Sequence, residues 1–279
     1  MEALTKEQLE IFTEELKART KQSAYSLVIQ KDKKPGLFDS KFGGVPYWDL
    51  SKDYPTDKKG NKLMLLAQMN FDKADVDSRL PQNGMLQFFI AHDDDLYGCN
   101  FDKPDVQDTF RVVYHDVINY EISEEQIKAL APPSAVDDDY LTPLCIECAV
   151  EIVKCEAYMD VCDYRFEDLQ VEILKEKFGI DDDEASELWE CIYDCLSENK
   201  ISSQGHRIFG YPFFTQSDPK DYNEDFRYYD TLLFQMDSET IDGKYYTLWG
   251  DCGVGNFFIN HKDLENKDFS KVLYNWDCY

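Results

Sequence analysis

No stretch of this sequence stays apolar long enough to cross a membrane, and the N-terminus lacks the apolar core of a secretory signal. The expected address is therefore the cytoplasm. Nine cysteines are then expected as reduced thiols rather than as a disulfide framework, and the odd number agrees. Basic residues are scarce. There are 29 against 56 acidic ones, a net charge of −27, and no basic cluster beyond "KDKK" at Lys31–Lys34. Such a chain repels phosphate backbones and anionic lipid, which excludes nucleic acid and membrane surfaces as partners. Catalytic signatures are missing too. There is no Gly-x-Ser-x-Gly elbow, no His-Glu-x-x-His, and only four histidines to serve as general bases.

What is present is core material. The hydrophobic fraction is 43 %, with 18 Tyr, 18 Phe and 4 Trp in 279 residues, enough for one large domain or two small ones. The excess acid suits either solubility or a basic protein partner. Thr5 and Gln8 are spaced as a capping box, and Leu9, Phe12 and Leu16 share one helical face behind it.

Three strings recur in the same order. "FGGVPYW" (42–48) returns faintly as "FGYPFF" (209–214), "LLAQM" (65–69) as "LLFQM" (232–236), and "FFIAHDDDL" (88–96) as "FFINHKDL" (257–264). Pro46 lies 22 positions before Gln68 and Pro212 lies 23 before Gln235. His92 follows Gln68 by 24 and His261 follows Gln235 by 26. Recurrence at near-equal spacing points to internal duplication. The expected fold is α+β: two related β-rich repeats packed together (36–120 and 205–279), an N-terminal helix and lead-in (1–35), and a helix-containing insertion (121–204). Within the insertion, "SEEQIKAL" from Ser123 reads as a capped short helix and Leu144–Val161 as a long strand. "RFEDLQVEILKEKFG" reads as a helix ending at Gly179, and 181–199 as another with an acidic start. In "YYTLWGDCGVGNFFIN" a glycine-rich connection joins two aromatic strands. It lacks the Lys-Ser/Thr ending of a phosphate loop.

The strings "FGGVPYW", "LLAQMNF", "LPQNGMLQFF", "GYPFFTQSD", "LLFQMDS" and "WGDCGVGNFFI" together resemble the YwqG-like family of uncharacterised, mainly bacterial proteins. The resemblance spans most of 36–118 and 205–279. It implies an α+β fold. Some family members sit beside polymorphic-toxin genes, which implies immunity-type binding. No enzymatic residues come with it.

His92 with Asp93, Asp94 and Asp95 could form a metal or acid–base cluster. A metal needs three or four convergent ligands, and adjacent aspartates on an extended chain point to opposite faces. The repeat keeps His261 and drops most of the acid, so the shared histidine is read as a strand-end element. Asp137–Asp139 reads as a loop and Asp181–Asp183 as a helix start. Cys145 and Cys148 have ligand spacing but no second pair, and Cys191 and Cys195 read as core. Gln68 and Gln235 each interrupt an apolar strand. A buried amide must be bonded, either to the other repeat's backbone or to a ligand in a cleft between the repeats. Trp249 and Asp251 are expected on the rim of that cleft.

The expected binding set is thus Gln68, His92, Asp93, Asp95, Gln235, Trp249, Asp251 and His261, with no catalytic residue, metal ligand or cofactor. The leading reading is a non-catalytic cytoplasmic protein-binding module, immunity- or antitoxin-like, toward a basic partner. The alternatives are a small-molecule or peptide binder using the cleft, and a hydrolase built around His92 or His206.

Overall fold

A computed structural model describes residues 3–132 and 141–279. The helices are α1 (Lys6–Thr20), α2 (Glu124–Lys128), α3 (Phe166–Phe178), α4 (Asp182–Ser186), α5 (Trp189–Glu198), α6 (Pro219–Tyr222) and α7 (His261–Glu265). The first strands are β1 (Gln22–Gln30), β2 (Lys41–Phe42), β3 (Met64–Asn70), β4 (Met85–Ile90), β5 (Phe110–His115) and β6 (Cys148–Ala157). The remainder are β7 (Arg207–Ile208), β8 (Thr231–Asp237), β9 (Glu239–Ile241), β10 (Lys244–Thr247), β11 (Val254–Ile259) and β12 (Val272–Asp277). Local chemistry sets several boundaries. Thr5 with Gln8 and Ser123 with Gln126 close reciprocal capping boxes at α1 and α2. Gly179, at φ +70°, turns the chain out of α3 in the left-handed region.

Ten strands form one antiparallel sheet in the order β12–β11–β8–β7–β1–β6–β2–β3–β4–β5, and β9 pairs with β10 apart from it. At its centre β1 and β6 pair over nine residues, Gln22 opposite Ala157 through Gln30 opposite Ala149. The segments expected as a lead-in and an insertion therefore supply the two central strands. The short strand β2 lies between β6 and β3, and β7 between β1 and β8.

The sheet curls until its ends nearly meet. Tyr274 on β12 donates its amide to Pro104 O at 2.9 Å, and its ring lies 5.3 Å from Phe110 on β5. The enclosed face is filled by rings: Phe88 stands 4.7 Å from Phe234 and 5.0 Å from Phe257, and Phe257 stacks on Tyr274 at 4.4 Å. Aromatic pairs of this kind add about 0.5–1.5 kcal/mol each beyond the area they bury. Two smaller clusters cover the outer face, one around Trp48, Leu65 and Phe89, the other around Phe214, Leu232 and Phe258.

Gln68 and Gln235 are fully buried, and each works as a clamp within its own half of the sheet. Gln68 Oε1 accepts the Tyr47 amide and Gln87 Nε2, both at 2.8 Å. Its Nε2 donates to Leu37 O at 2.9 Å and Asp39 O at 3.0 Å. Gln235 Oε1 accepts the Phe213 amide at 2.8 Å, and its Nε2 donates to Ser203 O and Gly205 O, each at 2.8 Å. This corrects both sequence expectations. The partners are neither the other half's backbone nor open to a ligand, because the loops before β2 and β7 fold directly over the amides. A cation sits across from each glutamine. Buried Lys41 donates to Gly36 O, Leu37 O and Val45 O, and Arg207 donates to Ser202 O and Gln204 O.

One clamp extends to buried His115. Gln87 uses its Nε2 on Tyr47 O and Gln68, so its Oε1 can only accept, and His115 Nε2 must carry the proton at 3.1 Å. Burial, and secondarily Lys52, push the imidazole down to about 4 from 6.5. The unfolded chain then binds this proton first, so the stability held by the neutral ring is complete above about 6.5 and is lost as pH falls toward 4.

Two measurements follow. Gln68→Met keeps the side-chain length and orphans buried backbone groups. It should lower the urea unfolding free energy by about 2–4 kcal/mol; a loss below about 0.5 kcal/mol would remove the clamp from the account. His115→Phe should be less stable than the parent at pH 7, with the gap closing by on the order of 2–3 kcal/mol between about pH 7 and pH 4.5. A pH-independent gap would show that the ring is not buried neutral.

Candidate functional site

The residues singled out in the sequence do not converge. His92 follows β4 on the surface, its Nε2 3.3 Å from Lys62 O, while Asp93 pairs with Lys59 at 3.2 Å and Asp95 is exposed on the same turn. Among the described residues no three His, Cys, Asp or Glu side chains are grouped to hold a metal ion. Asp137–Asp139 lie outside the described residues. Trp249 is a core residue, not a rim residue. It is fully buried against Gly255, where an added Cβ would approach the ring to 2.5 Å. Asp251 is exposed on the adjoining turn, and its carbonyl accepts the Tyr279 amide. His206, the other histidine considered for hydrolysis, is buried with Nδ1 accepting the Asp237 amide. All nine cysteines are unbridged. Of the set, His92 and Asp93 border an open hollow of ≈ 360 Å³ beside Asp57, Asn61 and Lys62, and His261 borders a cleft of ≈ 340 Å³ reached by residues from both halves of the chain.

A second groove lies on the helical side, between α3, α4 and α5 and the loop leading into α6. Its volume is ≈ 340 Å³, and it is lined by Asp163, Glu167, Asp182, Asp218, Asp221 and Trp189, with no lysine or arginine in its wall. Asp218 caps α6 by accepting the Lys220 amide at Oδ1, 3.0 Å. Its side chain is wholly inaccessible to solvent, Lys220 Nζ lies 3.4 Å from Oδ1, and among the described residues Oδ2 has no partner at hydrogen-bond geometry. Burial raises the Asp218 carboxyl, and the Lys220 charge offsets this only in part. Burial lowers Lys220 itself, whose ammonium lies 3.4 Å above the Phe258 ring. A carboxylate oxygen left unpaired in a closed site is costly until a donor reaches it.

The neighbouring surface is acidic in an uninterrupted way. From Asp181 to Glu198 there are eight carboxylates and no lysine or arginine. The nearest cation from α3, Lys175, reaches Asp182 at 3.4 Å. Leu188, Ile192 and Leu196 bury the inner side of α5. Its outer side carries Trp189 and Tyr193, one turn apart and stacked at 5.1 Å, each about half exposed at 50 % and 45 %. Large aromatics left in water beside a groove mark contact surfaces. The available signal was the four-residue spacing of Trp189 and Tyr193. The groove had no such signal, because Asp163 and Asp218 meet only through the fold.

A family model described as a domain of unknown function, DUF1963, matches residues 40–278. The chain belongs to the DUF1963 family. No curated protein matches it. The DUF1963 match takes in both buried glutamines, the groove and all of the cleft wall but Gln22, and starts after β1, although β1 supplies one of the two central strands. Among the described residues of this DUF1963 chain, no helix is long and apolar enough to cross a membrane.

Proposed function

We propose that this DUF1963 protein is a non-catalytic cytoplasmic binding module that docks a basic protein through the outer face of α5 and the groove beside it. The observation that carries the reading is the stacked Trp189–Tyr193 pair, exposed among eight carboxylates with no cation in the same stretch. The aromatic pair supplies apolar anchor area, and the carboxylates supply attraction and orientation. The exposed carboxylates of Glu167, Asp182 and Asp221 on the groove wall suit a lysine or arginine side chain entering it. Nine unbridged thiols fit a reducing compartment. An immunity-type role, in which the acidic face covers a basic toxin, is the form of binding we favour. The YwqG-like proteins are the narrower relatives we infer within the family.

The same reading treats the sheet as two copies of one five-strand unit whose first strands have changed places. Strands β2–β5 and β7, β8, β11 and β12 run outward from the centre in the same chain order. An extra residue bulges at Leu66 in β3 and at the matching Leu233 in β8. Ser40 O accepts the Val150 amide as His206 O accepts the Leu27 amide, both at 2.9 Å.

Binding to a panel of basic toxin domains, followed by titration calorimetry over a salt series, tests the docking reading. Affinity should fall steeply with salt, and Trp189→Ala should weaken it by about tenfold or more, about 1.4 kcal/mol. Binding that ignores both salt and Trp189, or no binding across the panel, would count against it.

A further inference from the structure

We propose that the cleft between the two halves of the chain is a binding site for the oxyanion head, carboxylate or phosphate, of a small molecule. Its wall brings together Arg79 from the loop after β3, Arg165 from the turn before α3, and His261 at the start of α7. Each arginine is held from behind. Arg79 Nε and Nη2 grip Asp77 at 3.0 and 2.8 Å, Nη2 also reaches Ser23 O at 2.8 Å, and the guanidinium lies 4.3 Å over Phe209. Arg165 Nε and Nη2 grip Asp163 at 2.7 and 2.6 Å. Among the described residues neither Nη1 makes a hydrogen bond. Half of each guanidinium fork is thus left over, on side chains 42 % and 47 % exposed.

The histidine is oriented in the same manner. Its backbone amide donates to Asp230 Oδ1 at 2.9 Å, and its Nδ1 lies 2.5 Å from Asp230 Oδ2. With Nδ1 committed to the carboxylate, Nε2 is the nitrogen left for a ligand. Asp230 also accepts the Thr231 hydroxyl at 2.9 Å, so three protein donors hold its two oxygens although its side chain, 38 % exposed, borders the cleft. Forks fixed on one edge and open on the other are pre-organised for a planar carboxylate or a phosphate, and little side-chain freedom remains to be lost on binding. Glu265 also borders the cleft and sets a limit on the ligand. A single anionic head with a hydroxyl or ammonium toward Glu265 fits, and a polyanion does not. The cleft volume of ≈ 340 Å³ is of the size that takes a small metabolite rather than a peptide.

The test uses the full chain with inorganic phosphate and, separately, glycolate as probes, in low-salt buffer free of other oxyanions. Nuclear magnetic resonance titration of the Arg165, Arg79 and His261 side-chain signals should give saturable shifts with a Kd at or below about 1 mM for at least one probe. Arg165→Lys keeps the charge and loses the fork, and should weaken binding at least fivefold. His261→Gln, at an exposed position, should do the same with the fold intact by circular dichroism. No saturable shift up to about 20 mM of either probe, or equal affinity in both variants, would overturn the proposal. The readout does not involve a basic partner, so it stands or falls apart from the docking reading.

Discussion

The nine-residue ladder between β1 and β6 is the contact on which the other layers rest. Neither half of the chain completes its own sheet. The two-residue strand β2 needs β6 on its outer side, and β7 needs β1. Two-residue strands have no stability of their own, so they stay in place because long strands pin one edge and the buried glutamines pin the loops on the other. The partners lie far apart in sequence, more than a hundred residues between Leu27 and Ile152, so closing them costs chain entropy that only the completed core offsets.

That core is unusual in how much polar chemistry it holds. Gln68, Gln87, Gln235, Asn256, Lys41 and His115 are all buried, yet they occupy the junctions where loops cross the sheet. An apolar side chain there would leave carbonyls and amides of the crossing loops unpaired. The charge outside is also distributed with a pattern. The Asp163–Arg165 ion pair, 2.6 Å apart, lies between the two cavities: Asp163 lines the acidic groove and Arg165 lines the cleft.

Much of the local structure was legible in the residues. The capping boxes at Thr5 and Ser123, the stop at Gly179 and the strand through Cys148–Ala157 are written in spacing and side-chain type. The echo of "LLAQM" in "LLFQM" marked two strands whose glutamines have equivalent surroundings. What could not be read was which strand lies beside which. Strand β1 ("QSAYSLVIQ") is half polar, looks peripheral, and sits at the centre because β6 pairs with all of it. Periodicity reports which face is apolar and is silent on the partner. Trp249 differs from its sequence expectation for a related reason: a tryptophan beside a glycine-rich turn reads as exposed, and only the packing of Gly255 makes room for its ring. The strings "FGGVPYW" and "FGYPFF" also share a backbone feature that side-chain identity hides. With Pro46 on Pro212, the left-handed residue Gly43 (φ +64°) corresponds to Phe209, which keeps φ at +63° despite its side chain.

The claim that the two halves are one cooperative unit held by the β1–β6 ladder is tested most directly by native-state hydrogen exchange of the intact chain. The account predicts that amides of β1 and β6, and the clamped amides of Tyr47 and Phe213, open together with the free energy of global unfolding. Exchange of the central ladder while β3–β4 or β8–β11 stays protected would contradict it.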